Sequence, residues 1–409
     1  MKSSNPASAA TRARWRLVAG RSLVVLACVS ALAGCSTVRG WFGGGDSEKA
    51  AAKRASEPAE LVDFTPSATV SRLWSANAGK GEDRLGVRQA PAIADGRVYA
   101  AAVEGGVRAF DLQTGALLWH YRSDLRLTGG PGAGDGLVVV GSLKGDVVAL
   151  DAATGAERWQ AKVPNEVIAA PVIGQGLVFV RSNDGRVTAF DVNDGQRRWF
   201  WTKELPSLTV RGNDAPVLGP GVMFVGNDDG TIAAVSVADG RELWDLPVAQ
   251  PDGRTELDRM ADVDGTPVLD GTVLYASSYK QSTVALDAPS GRPIWASEHG
   301  GPGRPGLAID KVVVSDRNGS VWGLDRSSGG AVWEQPGLAR RNLSGVAVHG
   351  DYAVVGDFEG YLHWLRLDNG DFAARQRAGR AAIKGPPVVA DGILVVQNVD
   401  GGLTAWRVQ

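Results

Sequence analysis

The residues of this chain that could carry chemistry are few and scattered. Histidines stand only at positions 120, 299, 349 and 363; His120, His299, His349 and His363 have no metal-ligand spacing, and each reads as a structural or surface residue. Two acidic turns, Asn227-Asp228-Asp229-Gly230 and Asp262-Val263-Asp264-Gly265, superficially suit calcium. Each lacks the longer ligand series of a calcium loop and reads as a turn. A Gly-x-Gly-x-x-Gly match at Gly301, Gly303 and Gly306 is interrupted by Pro302 and Pro305, with no helical pattern after it. It reads as the irregular start of an inner strand rather than a phosphate cradle. There is no His-Glu-x-x-His, phosphate loop or Gly-x-Ser-x-Gly elbow, so the expectation is no catalytic, cofactor-binding or metal site.

What the chain repeats is structural. A segment close to Ala-Phe-Asp-x-x-Thr-Gly-x-x-x-x-Trp runs from Ala109 to Trp119, from Ala149 to Trp159 and from Ala189 to Trp199. Its glycines fall at 115, 155, 195, 240, 291, 329 and 370, in steps of 40, 40, 45, 51, 38 and 41 residues. A period near forty residues marks stacked copies of one supersecondary unit. Within a unit, Val172-Ile173 leads through Gly174-Gln175-Gly176 into Leu177 to Val180, Asn183-Asp184-Gly185 turns toward Val187 and Ala189, and Asp194-Gly195 turns toward Trp199. Four short strands joined by Gly, Asn and Asp turns form an antiparallel propeller blade.

Trp244, Trp295 and Trp333 continue the tryptophan series, and Ala374 interrupts it. The last copy, Gly402 to Gln409, ends before its glycine turn and its tryptophan, whereas Val70-Ser71-Arg72-Leu73-Trp74 stands alone upstream. Pairing that N-terminal strand with the C-terminal blade predicts an all-β, eight-bladed propeller of four-stranded antiparallel blades closed into a ring, which removes exposed sheet edges. The repeated indoles read as seals between blades.

The first 34 residues carry Lys2, Arg12, Arg14, Arg16 and Arg21 with no acid, then the apolar run Leu23 to Val29, then Leu32-Ala33-Gly34-Cys35. These are the parts of a secretory signal, and the tetrapeptide resembles a bacterial lipobox, implying lipidation at Cys35. Cys28 leaves with the leader, so a disulfide or cysteine-metal site is excluded from the folded part. Residues 35 to 60, rich in Gly, Ala, Ser and mixed charge, read as a flexible tether ahead of a propeller over 61–409. The whole chain has formal charge −2, and losing the leader's five positive charges leaves −7. That balance does not suit nucleic acid or anionic lipid as a target, which leaves the lipid as the membrane contact.

The two oversized steps hold extra residues between Trp199 and Pro216 and between Trp244 and Pro267. Both connect an outer strand to the next blade's inner strand, so both are expected on one face, from neighbouring blades. One offers Leu208 and Val210 beside Arg211, and the other offers carboxylates. Apolar residues with arginine and acids on exposed loops suit a protein interface; plugging of the channel mouth, or pairing of the loops with each other, is the structural alternative.

Four stretches beyond the repeat carry a resemblance: Phe64-Thr65-Pro66 ahead of Trp74, Pro206-Ser207-Leu208 through Arg211-Gly212, Thr255-Glu256-Leu257-Asp258-Arg259 through Asp262-Val263-Asp264, and Gly356-Asp357 through Glu359-Gly360-Tyr361-Leu362-His363-Trp364. In these the chain resembles the BamB family, propeller lipoproteins of the outer-membrane β-barrel assembly (BAM) machinery. The resemblance implies a non-enzymatic scaffold without cofactor, lipid-anchored in the outer membrane and facing the periplasm. Its implied partners are the POTRA domains of BamA and nascent outer-membrane proteins. The implied BamA contacts are Leu208, Val210, Arg211, Asp262 and Asp264, with Val210 standing where the family commonly has leucine. β-Augmentation of a partner strand at a blade edge is a further implied mode. The competing readings are a dehydrogenase using pyrroloquinoline quinone, which shares the repeat but needs a calcium site and a catalytic aspartate not recognisable here, and a carbohydrate-binding propeller. Fold alone does not choose among them.

Overall fold

The computed structural model describes residues 57–81, 85–209 and 215–409. The leader, Cys35 and most of the expected tether lie outside the described residues, as do Val210 and Arg211. The described strands form eight four-stranded antiparallel sheets. The unit dissected above supplies one of them: β10 (Val172–Gly174), β11 (Leu177–Ser182), β12 (Arg186–Asp191) and β13 (Arg197–Thr202), paired in that order. Alternation decides which side chains enter the core. The second and third strands of this blade are buried along nearly their whole length, whereas the fourth exposes most of its residues.

The ring closes as the truncated last repeat requires. β1 (Val70–Asn77) pairs antiparallel with β32 (Gly402–Val408), which continues to β31 (Ile393–Gln397) and β30 (Val388–Ala390). Trp74 lies opposite Ala405, next to a register shift between Arg72 and Trp74. The eighth blade is thus built from both ends of the propeller segment.

The tryptophan and glycine of the repeat are partners, but not within one copy. Each indole reaches forward to the next blade. Trp74, Trp119, Trp159, Trp199, Trp244, Trp295 and Trp333 donate from Nε1 to the carbonyls of Leu112, Ala152, Val192, Val237, Ala288, Arg326 and Leu367, at 2.8 to 3.2 Å. Each ring also covers the turn glycine of that next blade. A Cβ on Gly195 would lie 2.6 Å from the Trp159 ring, and one on Gly155 would lie 2.6 Å from Trp119. The seven turn glycines share φ between 69° and 78°, a left-handed backbone that side chains resist. Both demands fall on one residue, which explains why glycine recurs there.

This pairing accounts for the two irregular repeats together. Ala374 replaces the tryptophan facing the eighth blade, and the eighth blade has no turn glycine for it to cover. A different cluster fills that junction: Trp364 and Trp406 meet edge to face at 6.2 Å, beside Leu362, Ile383, Leu394 and Ala374.

The compact unit containing the propeller begins at Pro58, and its N-terminal residues are strapped to the seventh blade. The Ala59 amide donates to the Ala339 carbonyl, Arg341 donates to the Ala59 carbonyl, and Arg375 donates to the Val62 carbonyl. Phe64 stacks on Phe372 at 5.4 Å under the Arg375 guanidinium. Arg341 and Arg375 are held from below by one buried carboxylate system. Asp357 is fully buried and accepts from Arg341 Nε at 2.8 Å, from His363 Nε2 at 3.0 Å, and from the Glu359 and Tyr361 amides at 2.9 Å each. Arg375 Nε donates to His363 Nδ1 at 3.3 Å, which places the imidazole proton on Nε2. The Gly356-to-Trp364 motif is therefore the clamp for the segment that enters the ring.

Candidate functional site

The two stretched connections meet. The first follows β13 toward β14 (Val217–Gly219), and the second follows β17 (Glu242–Pro247) toward β18 (Val268–Asp270). Ser207 Oγ donates to Glu256 Oε2 at 2.6 Å, so the loops of the fourth and fifth blades touch on one face. Part of the expected loop-to-loop pairing is thus real. Leu205 and Leu208 stay exposed on the first loop, and Leu257 is 65% exposed on the second.

A single helical turn, α1 (Glu256–Arg259), supports Leu257. Thr255 caps it, its side chain accepting from the Asp258 amide while the Asp258 carboxylate accepts from the Thr255 amide. Arg259 closes the turn with Glu256 at 3.0 Å and with the Gly253 carbonyl at 3.2 Å. After α1 the chain dives inward. Met260, Ala261, Asp262, Val263 and Asp264 are all buried. The Val263 amide donates to the Asn227 carbonyl at 3.1 Å, and the Tyr279 amide donates to the Asp262 carbonyl at 2.8 Å.

The sequence-predicted contact residues therefore divide. Leu208 is surface, Val210 and Arg211 lie outside the described residues, and Asp262 and Asp264 sit beneath the surface at 0% and 4% exposure. The fold also brings in an acid that the sequence showed only as part of a distant turn. Asp228 places a carboxylate oxygen within 4.8 Å of those of Asp262 and Asp264. Asp228 Oδ1 accepts from Arg181 Nη2 at 3.1 Å in a buried ion pair. Burial pushes the Asp264 carboxyl up to about 7, with Asp228 adding to the rise and Arg88 and Arg181 opposing it. Burial likewise raises Asp228 despite Arg181.

Asp264 also borders a cavity of about 440 Å³ shared with Arg88, Tyr279, Arg304, Arg317 and Lys384. Gly303 lines it too, and Gly301, Gly303 and Gly306 are packing glycines: a Cβ on Gly301 would lie 2.0 Å from the Ser315 carbonyl oxygen, and Gly306 opens β22 (Gly306–Leu307), the first strand of its blade. The histidines are accounted for by the fold. His120 meets the Gly105 carbonyl, His299 stacks on Trp322 at 3.9 Å, His349 meets the Gly392 carbonyl, and His363 belongs to the clamp.

A closed eight-bladed ring with a loop-built face on two adjacent blades defines a quinoprotein-like repeat propeller. Within that class, the family model described as outer membrane protein assembly factor BamB matches residues 67–126, 103–335 and 317–408. The Xanthomonas campestris protein of that description is 61% identical over 92% of this chain and 94% of its own. The Pseudomonas aeruginosa one is 40% identical over 96% of this chain and 100% of its own. The crystal structure of BamB from Moraxella catarrhalis superposes with a TM-score of 0.76 at 28% identity, covering 83% of this chain and all of that one. A quinohemoprotein alcohol dehydrogenase from Comamonas testosteroni shares the fold alone, with a TM-score of 0.67 at 16% identity. The chain belongs to the BamB family of outer membrane protein assembly factors.

Proposed function

We propose that this chain is a non-enzymatic scaffold that binds the POTRA domains of BamA through the face built by its fourth and fifth blades, and so assists folding and insertion of outer-membrane β-barrel proteins. The observation that carries the reading is the meeting of the two stretched connections, where Leu208 and Leu257 stay exposed around the Ser207–Glu256 hydrogen bond. Apolar anchors ringed by polar groups are what a protein partner can bury. Arg211 and Val210 would extend this patch from the first loop. Asp262 and Asp264 would act from below, fixing the course of the second loop rather than touching the partner. Lipidation at Cys35 would hold the propeller at the periplasmic face of the outer membrane, and nascent barrel proteins would be its clients.

The test is co-purification of BamA with the full chain from detergent-solubilised membranes. Leu208→Ala and Arg211→Ala are expected to reduce recovered BamA by about tenfold, the loss of one interface anchor, with the melting temperature unchanged. Asp262→Ala is expected to reduce recovery as well, together with local stability. Full retention by folded Leu208→Ala and Arg211→Ala variants would refute this face.

A further inference from the structure

The carboxylates under this face have a geometry that partner binding does not explain. We propose that Asp228, Asp262 and Asp264 form a binding site for a divalent cation with the oxygen-seeking chemistry of calcium. The three side chains come from two segments far apart in the chain, yet one oxygen from each falls within 4.8 Å of the others. Oxygens bound to one calcium ion at 2.3 to 2.6 Å can lie at most about 5 Å apart, so the spacing fits a shared ion.

A second observation points the same way. Asp264 is 4% exposed, and neither of its carboxylate oxygens receives a hydrogen bond among the described residues. Buried carboxylates are ordinarily satisfied by donors, pairs or metals. The nearby cations leave this one unsatisfied: Arg181 is engaged by Asp228 Oδ1, and Arg88 directs Nη1 to the Pro302 carbonyl at 2.9 Å. Asp228 keeps its second oxygen outside that ion pair. Asp264 alone of the three borders the cavity of about 440 Å³, which connects its carboxylate to solvent, and Arg88, Arg304, Arg317 and Lys384 in the same lining oppose a cation's entry, so the site must bind against that field.

The cluster lies inside the fold, whereas the proposed partner face is on its surface, so the two readings fail separately. The test uses the full chain in detergent, stripped with chelator and then titrated with calcium chloride, followed by calorimetry and thermal denaturation. Calcium up to the millimolar range is expected to bind at one site and to raise the melting temperature progressively, because a ligand of the folded state stabilises it by mass action. Sodium chloride at matched ionic strength should not reproduce the rise. Asp264→Asn and Asp228→Asn are expected to weaken calcium binding by about tenfold or more, since each removes a ligand charge. The wild-type titration decides the matter even if a variant misfolds. No binding heat and no calcium-dependent rise would overturn the site, as would an equal rise with sodium chloride or an undiminished response in folded Asp264→Asn.

Discussion

Replacing Trp159 with alanine is expected to lower stability by about 3 to 5 kcal/mol, the range for truncating a large buried aromatic. The indole is 7% exposed, sits 6.2 Å from the Phe190 ring, and donates to the Val192 carbonyl at 3.0 Å. All these contacts join the second blade to the third, so the loss falls on a junction the ring needs in order to stay closed. The hydrogen bond adds to the cost, because removing the donor strands an acceptor at the seam. Denaturant unfolding checks this through the transition midpoint at unchanged slope. An unshifted midpoint would remove the sealing role. A companion variant isolates the contact: Gly195→Ala places a Cβ 2.6 Å from the Trp159 ring at φ +69°. Its steric part should vanish in the Trp159→Ala background, leaving only the backbone cost of about 1 to 2 kcal/mol.

The clamp centred on Asp357 is expected to be as sensitive. Asp357→Ala leaves the buried Arg341 guanidinium with only the half-exposed Glu359 as its acid partner, and breaking a buried pair from one side costs about 3 to 5 kcal/mol. The same change frees His363 and the Glu359 and Tyr361 amides at once. Because Arg341 and Arg375 also hold Ala59 and Val62, residues 57–65 should become accessible to protease in the variant before the propeller unfolds. Limited proteolysis with N-terminal sequencing reads this, and unchanged cleavage kinetics would separate the clamp from the strap.

The clamp also sets an acid limit on stability. Burial lowers the pKa of His363 below its ordinary 6.5 despite Asp357, and burial lowers that of His349 too. The unfolded chain therefore binds these protons more readily, and the stability these two histidines contribute is lost as pH drops below about 6.5, while Asp264, raised to about 7, takes up its proton first in the folded state and opposes that loss. Burial would raise Asp357, but His363 and Arg341 outweigh it and hold its pKa below 3.8. Its contribution is present above about 3.8 and is lost as pH falls further. In a melting-temperature profile, Asp357→Ala should make the fall below about pH 4 shallower than in the wild type, the remainder coming from other carboxylates held low in the folded state, such as Asp191 and Asp325.

Much of the architecture was legible because a repeat writes the same local requirement many times. The steps between turn glycines gave the blades, and the orphan Trp74 with the unfinished final copy gave the closure. The stretched steps located the two connections that meet at Ser207 and Glu256. The depth of Asp262 and Asp264 was not legible. Their loop reads as polar and exposed, but after α1 it turns inward, and main-chain bonds to Asn227 and Tyr279 hold it there. The role of the Gly356-to-Trp364 motif was equally hidden, since it acts through Arg341 and Arg375, whose carbonyl partners Ala59 and Val62 lie roughly 300 residues from them in sequence.

By itself the sequence determined the strand period, the turn chemistry and the number of blades, because tight turns and alternating strands depend on residues within a few positions of one another. Only the tertiary structure decided which copy each tryptophan serves, which carboxylates share a buried site and which blade receives the entering segment. Those pairings join residues tens to hundreds of positions apart, and packing in three dimensions, rather than local propensity, selects them.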